Sequence, residues 1–197
     1  NVAMTARAFL YFAYPAQISG DQVWTYLGDK TPVDGYTGAT ALAAVYNAGV
    51  EGKVATQALA EHNSVLGDGM YSFANLFIGW IPGSIGETST LMALLGAAIL
   101  IGTGVASWKI IVSGFGGAYI MGLVMNLLAI NEYMALPPQY HWVMGGLAFG
   151  VVFMATDPVS AAQTEVGKWI YGFLIGVLTI IIRVSNPAYP EGIMLAV

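Results

Sequence analysis

Three long runs without Asp, Glu, Lys or Arg constrain the fold of this chain more than any other feature. They cover residues 88–108, 110–131 and 133–156. Each exceeds the roughly 20 helical residues that cross a bilayer. The chain is 57% hydrophobic and only 9% charged, a balance that a soluble domain of 197 residues could not bury. The sequence therefore predicts an all-α integral membrane protein with three spans in these runs.

Weaker apolar segments flank the long runs, at residues 8–20, 69–86, 166–182 and 192–197. Each is short, interrupted by Gly or Pro, or cut off, so we expect partial or truncated spans here. The chain also begins without an initiator Met or a basic leader, and it ends inside an apolar run. We therefore expect a fragment of a longer protein.

The distribution of polar residues divides the chain into three parts. Residues 21–68 hold most of the polar sequence, with turn signals such as DKTPVDG and EHNSVLGDG. We expect a transmembrane helix over residues 1–20, an aqueous loop over residues 21–68 and a transmembrane helical bundle over residues 69–197. A loop of this length inside a compact membrane domain is usually functional.

Polar stretches that contain Pro and Gly interrupt the bundle at residues 80–89, 155–165 and 185–192. Irregular backbone at membrane depth requires protein or a water-lined cavity to satisfy its free N–H and C=O groups. Broken helices of this kind are typical of transporter-like cores built from inverted repeats, with sites near the midplane. The sequence thus predicts a multi-span bundle with broken helices.

Two carboxylates in these broken stretches allow two interpretations each. Asp157, which precedes Pro158, is either an interfacial helix cap or a costly charge that marks an ion pathway. Glu87 is either a first-turn carboxylate favoured by a helix dipole or an oxygen ligand beside Ser84, Thr88 and Ser89. Both residues are candidate ligands of a sodium pathway.

The stretch DGYTGAT, residues 34–40, stands out because its side chains are mostly small and it ends in a hydroxyl. One interpretation is a turn followed by a helix that Thr37 caps. The other is a covalent modification site at Thr40, since Gly35 and Gly38 would let the backbone approach a phosphate group closely. The local pattern alone is compatible with both.

Several classes of site are excluded by what the sequence lacks. The chain has no Cys, so thiolate iron–sulfur ligation, Cys-zinc sites and disulfides cannot form within it. A net charge of −5, with six scattered basic residues, argues against nucleic-acid binding. His62 and His141 are too far apart in sequence to suggest a metal or haem site. The Gly-rich residues 113–122 lie in a hydrophobic run and indicate close helix packing.

The motif DGYTGAT resembles the flavinylation motif D-G-x-[ST]-G-A-T, in which FMN is joined through its phosphate to the last Thr. The wider chain resembles the B subunits of sodium-translocating NADH:quinone oxidoreductases. The likeness rests on the stretches MTARAFLYFAYPAQISGD, IPGSIGETSTL, FMATDPVSAAQTEVGKW and RVSNPAYPEG. Residue 37 is Thr where Ser is commoner, which keeps the hydroxyl. The resemblance implies the carboxy-terminal part of such a protein.

The resemblance also implies a cofactor and a fold. Thr40 would carry FMN as a phosphoester, within a motif whose other cofactor-binding residues are Asp34, Gly35, Thr37, Gly38 and Ala39. A separate flavin transferase would install the FMN from FAD. The implied fold is the urea-transporter-like inverted repeat, which agrees with the broken helices expected from the residues alone.

The resemblance implies a six-subunit complex in which the partners of this chain are the A, C, D, E and F subunits. The chain itself would be a multi-pass protein of the bacterial inner membrane, in contact with lipid. Electrons from NADH would reach the FMN from the C subunit and continue through a riboflavin to ubiquinone, while Na⁺ crosses the membrane. Two alternatives stay open. One is the D subunit of an Rnf-type complex, and the other is a solute transporter or channel without a flavin.

Overall fold

The computed structural model describes residues 2–17, 23–24, 37–38, 40–50, 52–61, 69–84, 86–130, 134–185 and 192–197. The described chain is helical apart from one short antiparallel pairing of two strands. The helices are α1 (Val2–Ala13), α2 (Ala41–Val50), α3 (Ala55–Glu61), α4 (Phe73–Ile78), α5 (Thr90–Gly102), α6 (Trp108–Leu128), α7 (Tyr140–Val143), α8 (Leu147–Phe149), α9 (Glu165–Ser185) and α10 (Ile193–Ala196). The strands are β1 (Val23–Trp24) and β2 (Thr37–Gly38), a 3-10 turn spans Pro15–Gln17, and a π-helical turn, Gly150–Met154, continues α8.

Helices α6 and α9 form the centre of the molecule and run in the same direction. Gly172 of α9 packs on Ile110 and Ser113 of α6, and one turn later Gly176 packs on the backbone of residues 114–118. A methyl group at either glycine would overlap backbone atoms of α6. The close packing predicted for residues 113–122 is therefore confirmed, and small residues allow it as they do in other membrane helices.

Two of the described helices, α6 and α9, are long and apolar enough to cross a membrane. Each has 21 residues, and large parts of both are exposed apolar surface. On α9, the side chains of Val166 and Ile170 are 70% and 56% exposed. A continuous exposed apolar face of this kind is typical of a helix that meets lipid or another subunit.

The structure corrects the expected positions of the spans. The run 110–131 corresponds to α6, but the run 88–108 holds only the 13-residue α5. The run 133–156 is not one helix, because it breaks between α7 and α8. The second membrane-length helix instead is α9, which the sequence marks only as a weak segment at residues 166–182.

The interior is divided between two apolar cores. The first joins α5, α6, α8, α9 and α10, and the second joins α2, α3 and α4 to the segment around α7. In the second core Leu42 and Val45 of α2 are buried with Met144. Within the expected aqueous loop, α2 and α3 are thus helices that pack into this core.

A buried arginine holds the break between α7 and α8 in place. Arg183 of α9 donates hydrogen bonds from Nη1 to the carbonyl of His141 and from Nη2 to that of Met144, both at 2.8 Å. Gly145 follows with φ +64°, a conformation that favours glycine. The carbonyls that the broken helix leaves free therefore accept hydrogen bonds inside the protein. A backbone break at membrane depth needs such internal partners.

Candidate functional site

Thr40 lies at the start of α2 and caps it. Its Oγ1 accepts a hydrogen bond from the amide of Ala43 at 3.3 Å, and its carbonyl accepts from the amide of Ala44 at 2.8 Å. The expectation that Thr37 caps this helix is wrong, because the helix begins three residues later than that cap would require. The hydroxyl that the motif ends on is therefore fixed at a helix N-terminus.

The rest of the motif is only partly described. Thr37 and Gly38 form β2, where Thr37 pairs with Trp24 and Gly38 with Val23. Asp34, Gly35 and Ala39 lie outside the described residues. Thr40 therefore lies two residues after the strand pairing and at the cap of α2.

A small cavity of about 30 Å³ adjoins Thr40. Its other walls come from the broken stretch that follows α4 and from Gly145 at the second break. The oxygen-bearing side chains that line it are those of Thr40, Ser84, Glu87 and Thr88. The fold therefore brings together the end of the flavinylation-like motif and one of the two carboxylates singled out from the sequence.

Glu87 reaches this cavity because two close approaches fold the stretch before α5 back on itself. Gly79 ends α4 with φ +98° and lies against the backbone of Ser89, the N-cap of α5. The Glu87 carboxylate lies against Gly146, where a methyl group would come within 2.6 Å of Oε2. Glu87 is half-buried, and its carboxylate has no hydrogen bond or ion pair within the described part of the chain.

Asp157 has the contacts of a local cap. Its carboxylate accepts a hydrogen bond from the hydroxyl of Ser160 at 2.6 Å and another from the amide of Val159 at 3.3 Å. The Ser160 hydroxyl first and the Val159 amide second hold the pKa of Asp157 below its ordinary value. These contacts fit the capping interpretation of Asp157.

Asp157 and Glu87 are not brought together in one cavity. The second cavity that the described residues form, about 420 Å³, lies beside the Asp157 turn at the start of α6 and α9. Lys109 and Lys168 line it, and both pair with Glu165 there. No cluster of three His, Asp or Glu side chains suited to a metal ion occurs among the described residues.

The sequence did not single out Arg183 as a site-shaping residue. The structure buries it to 1% exposure next to Gly145, which also lines the Thr40 cavity. One signal could have found it. A single Arg inside an otherwise apolar helical segment is expected to bind a polar group within the bundle, since an unpaired charge there is costly.

The exposed apolar surfaces of α6 and α9 and the buried break between α7 and α8 are consistent with a helical protein of the membrane class. Within that class, the chain belongs to the NQR2, RnfD, RnfE family, whose model matches residues 1–197.

Curated relatives match along the whole chain. The chain is 51% identical to the B subunit of the Na(+)-translocating NADH-quinone reductase of Chromohalobacter salexigens, and the alignment covers 100% of this chain and 44% of the relative. The proteins of the same name from Stutzerimonas stutzeri and Neisseria meningitidis serogroup B are 48% and 49% identical, each with 100% of this chain and 45% of the relative aligned. The chain therefore spans less than half the length of these relatives.

Proposed function

We propose that this chain is the FMN-bearing part of a sodium-translocating NADH:ubiquinone reductase, a membrane translocase, and that FMN is held on Thr40 as a phosphoester. The observation that carries the proposal is the position of the Thr40 hydroxyl at the N-cap of α2, at the end of DGYTGAT. The identity along the whole chain to proteins named for this activity supports it.

The residues around Thr40 fit a phosphate group. The first amides of a helix have no intrahelical acceptor, and a helix N-terminus carries a partial positive charge. A phosphoester on Thr40 Oγ1 would face these amides at the start of α2, a ten-residue helix. Thr40 is also partly exposed, which a separate transferase requires to reach it.

The flavin ring must lie outside the small cavity, because about 30 Å³ holds little more than one water molecule or ion. FMN supplies electron-transfer chemistry, while the protein supplies its position and electrostatics. In this account Thr40 holds the phosphate, and Asp34, Gly35, Thr37, Gly38 and Ala39 shape the approach to it. Riboflavin and ubiquinone are the further carriers we propose for the complete protein.

The proposed setting is the bacterial inner membrane, with the chain as a multi-pass bundle beside the A, C, D, E and F subunits. The exposed apolar faces of α6 and α9 supply surface for lipid and for neighbouring proteins of the complex. The same proposal includes an inverted-repeat fold and the division of the chain into residues 1–20, 21–68 and 69–197. Within the middle part, α2 and α3 are packed helices. Attachment of FMN to Thr40 would also require a separate flavin transferase that uses FAD as donor.

We propose that the sodium pathway passes Glu87. Asp157 is the second candidate carboxylate, and its contacts can be compared with those of Glu87. Glu87 lies in an oxygen-lined cavity and has no partner among the described residues, whereas Asp157 is held by its own turn. A carboxylate within a membrane bundle is costly and by default marks an ion or proton pathway. The contacts therefore favour Glu87 over Asp157 as the ligand.

The D subunit of an Rnf-type complex is the second candidate function, since the matching family includes RnfD. The names of the relatives favour the quinone reductase. Both would carry a flavin on Thr40, so a flavin assay separates them from a plain solute transporter or channel.

The test is in-gel flavin fluorescence of three denatured proteins: the native chain and the variants Thr40→Val and Thr40→Ser. We expect a fluorescent band for the native chain and none for Thr40→Val, because the attachment oxygen is gone. Thr40→Ser keeps a hydroxyl at the same position and should retain at least part of the band. Fluorescence that survives in Thr40→Val would place the flavin elsewhere, for example on Thr37.

A further inference from the structure

The proposed function places Glu87 on a sodium pathway without saying how that carboxylate relates to the phosphoester on Thr40. Four side chains with oxygen atoms line the cavity beside Thr40, from Thr40, Ser84, Glu87 and Thr88, and no basic side chain lines its described walls. One of these groups is a carboxylate without a hydrogen bond or ion pair among the described residues. A half-buried carboxylate in that state is costly unless a cation joins it.

We infer that this cavity binds one monovalent cation, Na⁺, between the Glu87 carboxylate and the phosphoester on Thr40. The inference rests on the proposed function for the phosphoester, and it adds a binding site to it. Hydroxyl and carboxylate oxygens are suitable ligands for a hard cation. The cavity volume of about 30 Å³ matches one small ion with little additional space.

Charge balance gives the second reason. A phosphoester on Thr40 would add a negative charge to the cavity that already holds Glu87, and like charges at close range repel. The guanidinium of Arg183 approaches Gly145 but donates to the carbonyls of His141 and Met144. A cation bound between the two anions removes the repulsion that the attached flavin creates.

The size of the donor set indicates a monovalent ion. Ca²⁺ takes six to eight oxygen ligands and generally more than one carboxylate, and Mg²⁺ usually keeps several waters in near-octahedral geometry. With Thr40 esterified, the described walls supply one carboxylate and the hydroxyl groups of Ser84 and Thr88, and the phosphoester adds its own oxygens. Gly146 allows the carboxylate to reach this position, because any side chain there would overlap Oε2.

The test is carbodiimide labelling of carboxylates in the assembled membrane complex, followed by peptide mass mapping. Labelling is measured with NaCl, KCl and MgCl₂, each against choline chloride at equal ionic strength. We expect the Glu87 peptide to be labelled in choline and protected by Na⁺. At roughly ten times the dissociation constant, one-site mass action slows the labelling about tenfold. The Asp157 peptide in the same digest is the internal control and should show no sodium effect.

Two comparisons sharpen the result. Protein from cells without the flavin transferase keeps the Thr40 hydroxyl but lacks the phosphoester, and it should need a higher sodium concentration for half-maximal protection. Ser84→Ala and Thr88→Val should raise that concentration as well, while Glu87→Gln removes the labelled site and confirms its assignment.

Three outcomes would overturn the inference: equal sodium effects on Glu87 and Asp157, stronger protection by Mg²⁺ than by Na⁺, or a Glu87 that does not react even in choline. The mass of the Thr40 peptide in the same digest reports flavin attachment separately. An attached flavin without sodium protection contradicts the cation site and leaves the proposed function standing. In the native complex, sodium protection together with an unmodified Thr40 peptide contradicts the proposed function instead.

Discussion

Thr40 and Asp157 are both capping residues, but they cap in different surroundings. Thr40 caps a buried helix beside a cavity, whereas Asp157 caps an exposed turn through Ser160 and Val159. The sequence identified both residues but assigned the cap of α2 to Thr37. The error arose because any Ser or Thr before an Ala-rich run is a plausible cap, and only the backbone shows where the helix begins.

Asp157→Asn tests the capping role of that carboxylate. The asparagine keeps a side-chain oxygen that can accept from Val159 and Ser160, so the sodium concentration for half-maximal quinone reduction should not change. Steady-state reduction titrated with sodium measures this, and Glu87→Gln is the matched carboxylate-to-amide control, which should raise that concentration. A raised sodium requirement in Asp157→Asn would assign the ion pathway to Asp157 after all.

The same contacts predict a pH dependence. Because the pKa of Asp157 is depressed in the folded protein, the stability that its hydrogen bonds contribute is present above the ordinary value of 3.8 and is lost as pH falls through the lower folded value. Asp157→Asn should therefore differ from the native chain at neutral pH and converge with it in acid. Melting temperatures of the two proteins across this pH range measure the difference, and a constant difference would contradict the capping role of the ionised carboxylate.

The break between α7 and α8 is a feature that a hydropathy profile does not predict. Residues 133–156 are uncharged throughout, so they read as a span, yet Gly145 takes a positive φ and Arg183 binds the freed carbonyls. Conversely, α9 contains Glu165, Lys168 and Arg183 and reads as a weak span. In α9, Glu165 pairs with Lys109 of α6 and Arg183 binds carbonyls at the break, contacts with other elements that the local sequence does not contain.

Arg183→Met tests this clamp. Removal of the guanidinium leaves the buried carbonyls of His141 and Met144 without these donors, at a cost of about 1–3 kcal/mol for each. We expect a clear drop in the apparent melting temperature of the complex. Lys168→Met is the control on the same helix, because its exposed pair with Glu165 contributes only about 0–1 kcal/mol. Equal effects of the two variants would show that Arg183 does not hold the break.

Gly176→Ala tests the packing of α6 on α9. The added methyl group would overlap the carbonyl of Gly114 and the amide of Ala118, and overpacking of this kind costs about 1–3 kcal/mol. Gly116→Ala is the matched control, since nothing lies within 4 Å of its added methyl group and Ala favours a helix. Melting temperatures of the two variants should diverge; a Gly176→Ala protein as stable as the control would contradict the close packing.

Over the whole molecule, composition predicted the class well, since α6 and α9 are long, apolar and exposed as membrane helices are. Two predicted breaks, at residues 80–89 and 155–165, lie between helical elements as expected. Most of the third, residues 185–192, lies outside the described residues, and the break at Gly145 was not predicted. The shared cavity of Thr40 and Glu87 could not be predicted. These residues are distant in sequence, and they meet only because the turn after α4 and the Gly145 break approach the start of α2.

Peptide mass spectrometry of this protein from the native complex tests whether Thr40 carries the flavin. We predict that the peptide with Thr40 is heavier by one phosphoester-linked FMN and that fragmentation places the added mass on Thr40 itself. The Thr40→Ser peptide should carry the same increment on Ser, and the Thr40→Val peptide should carry none. An unmodified Thr40 peptide from an active complex would contradict the account.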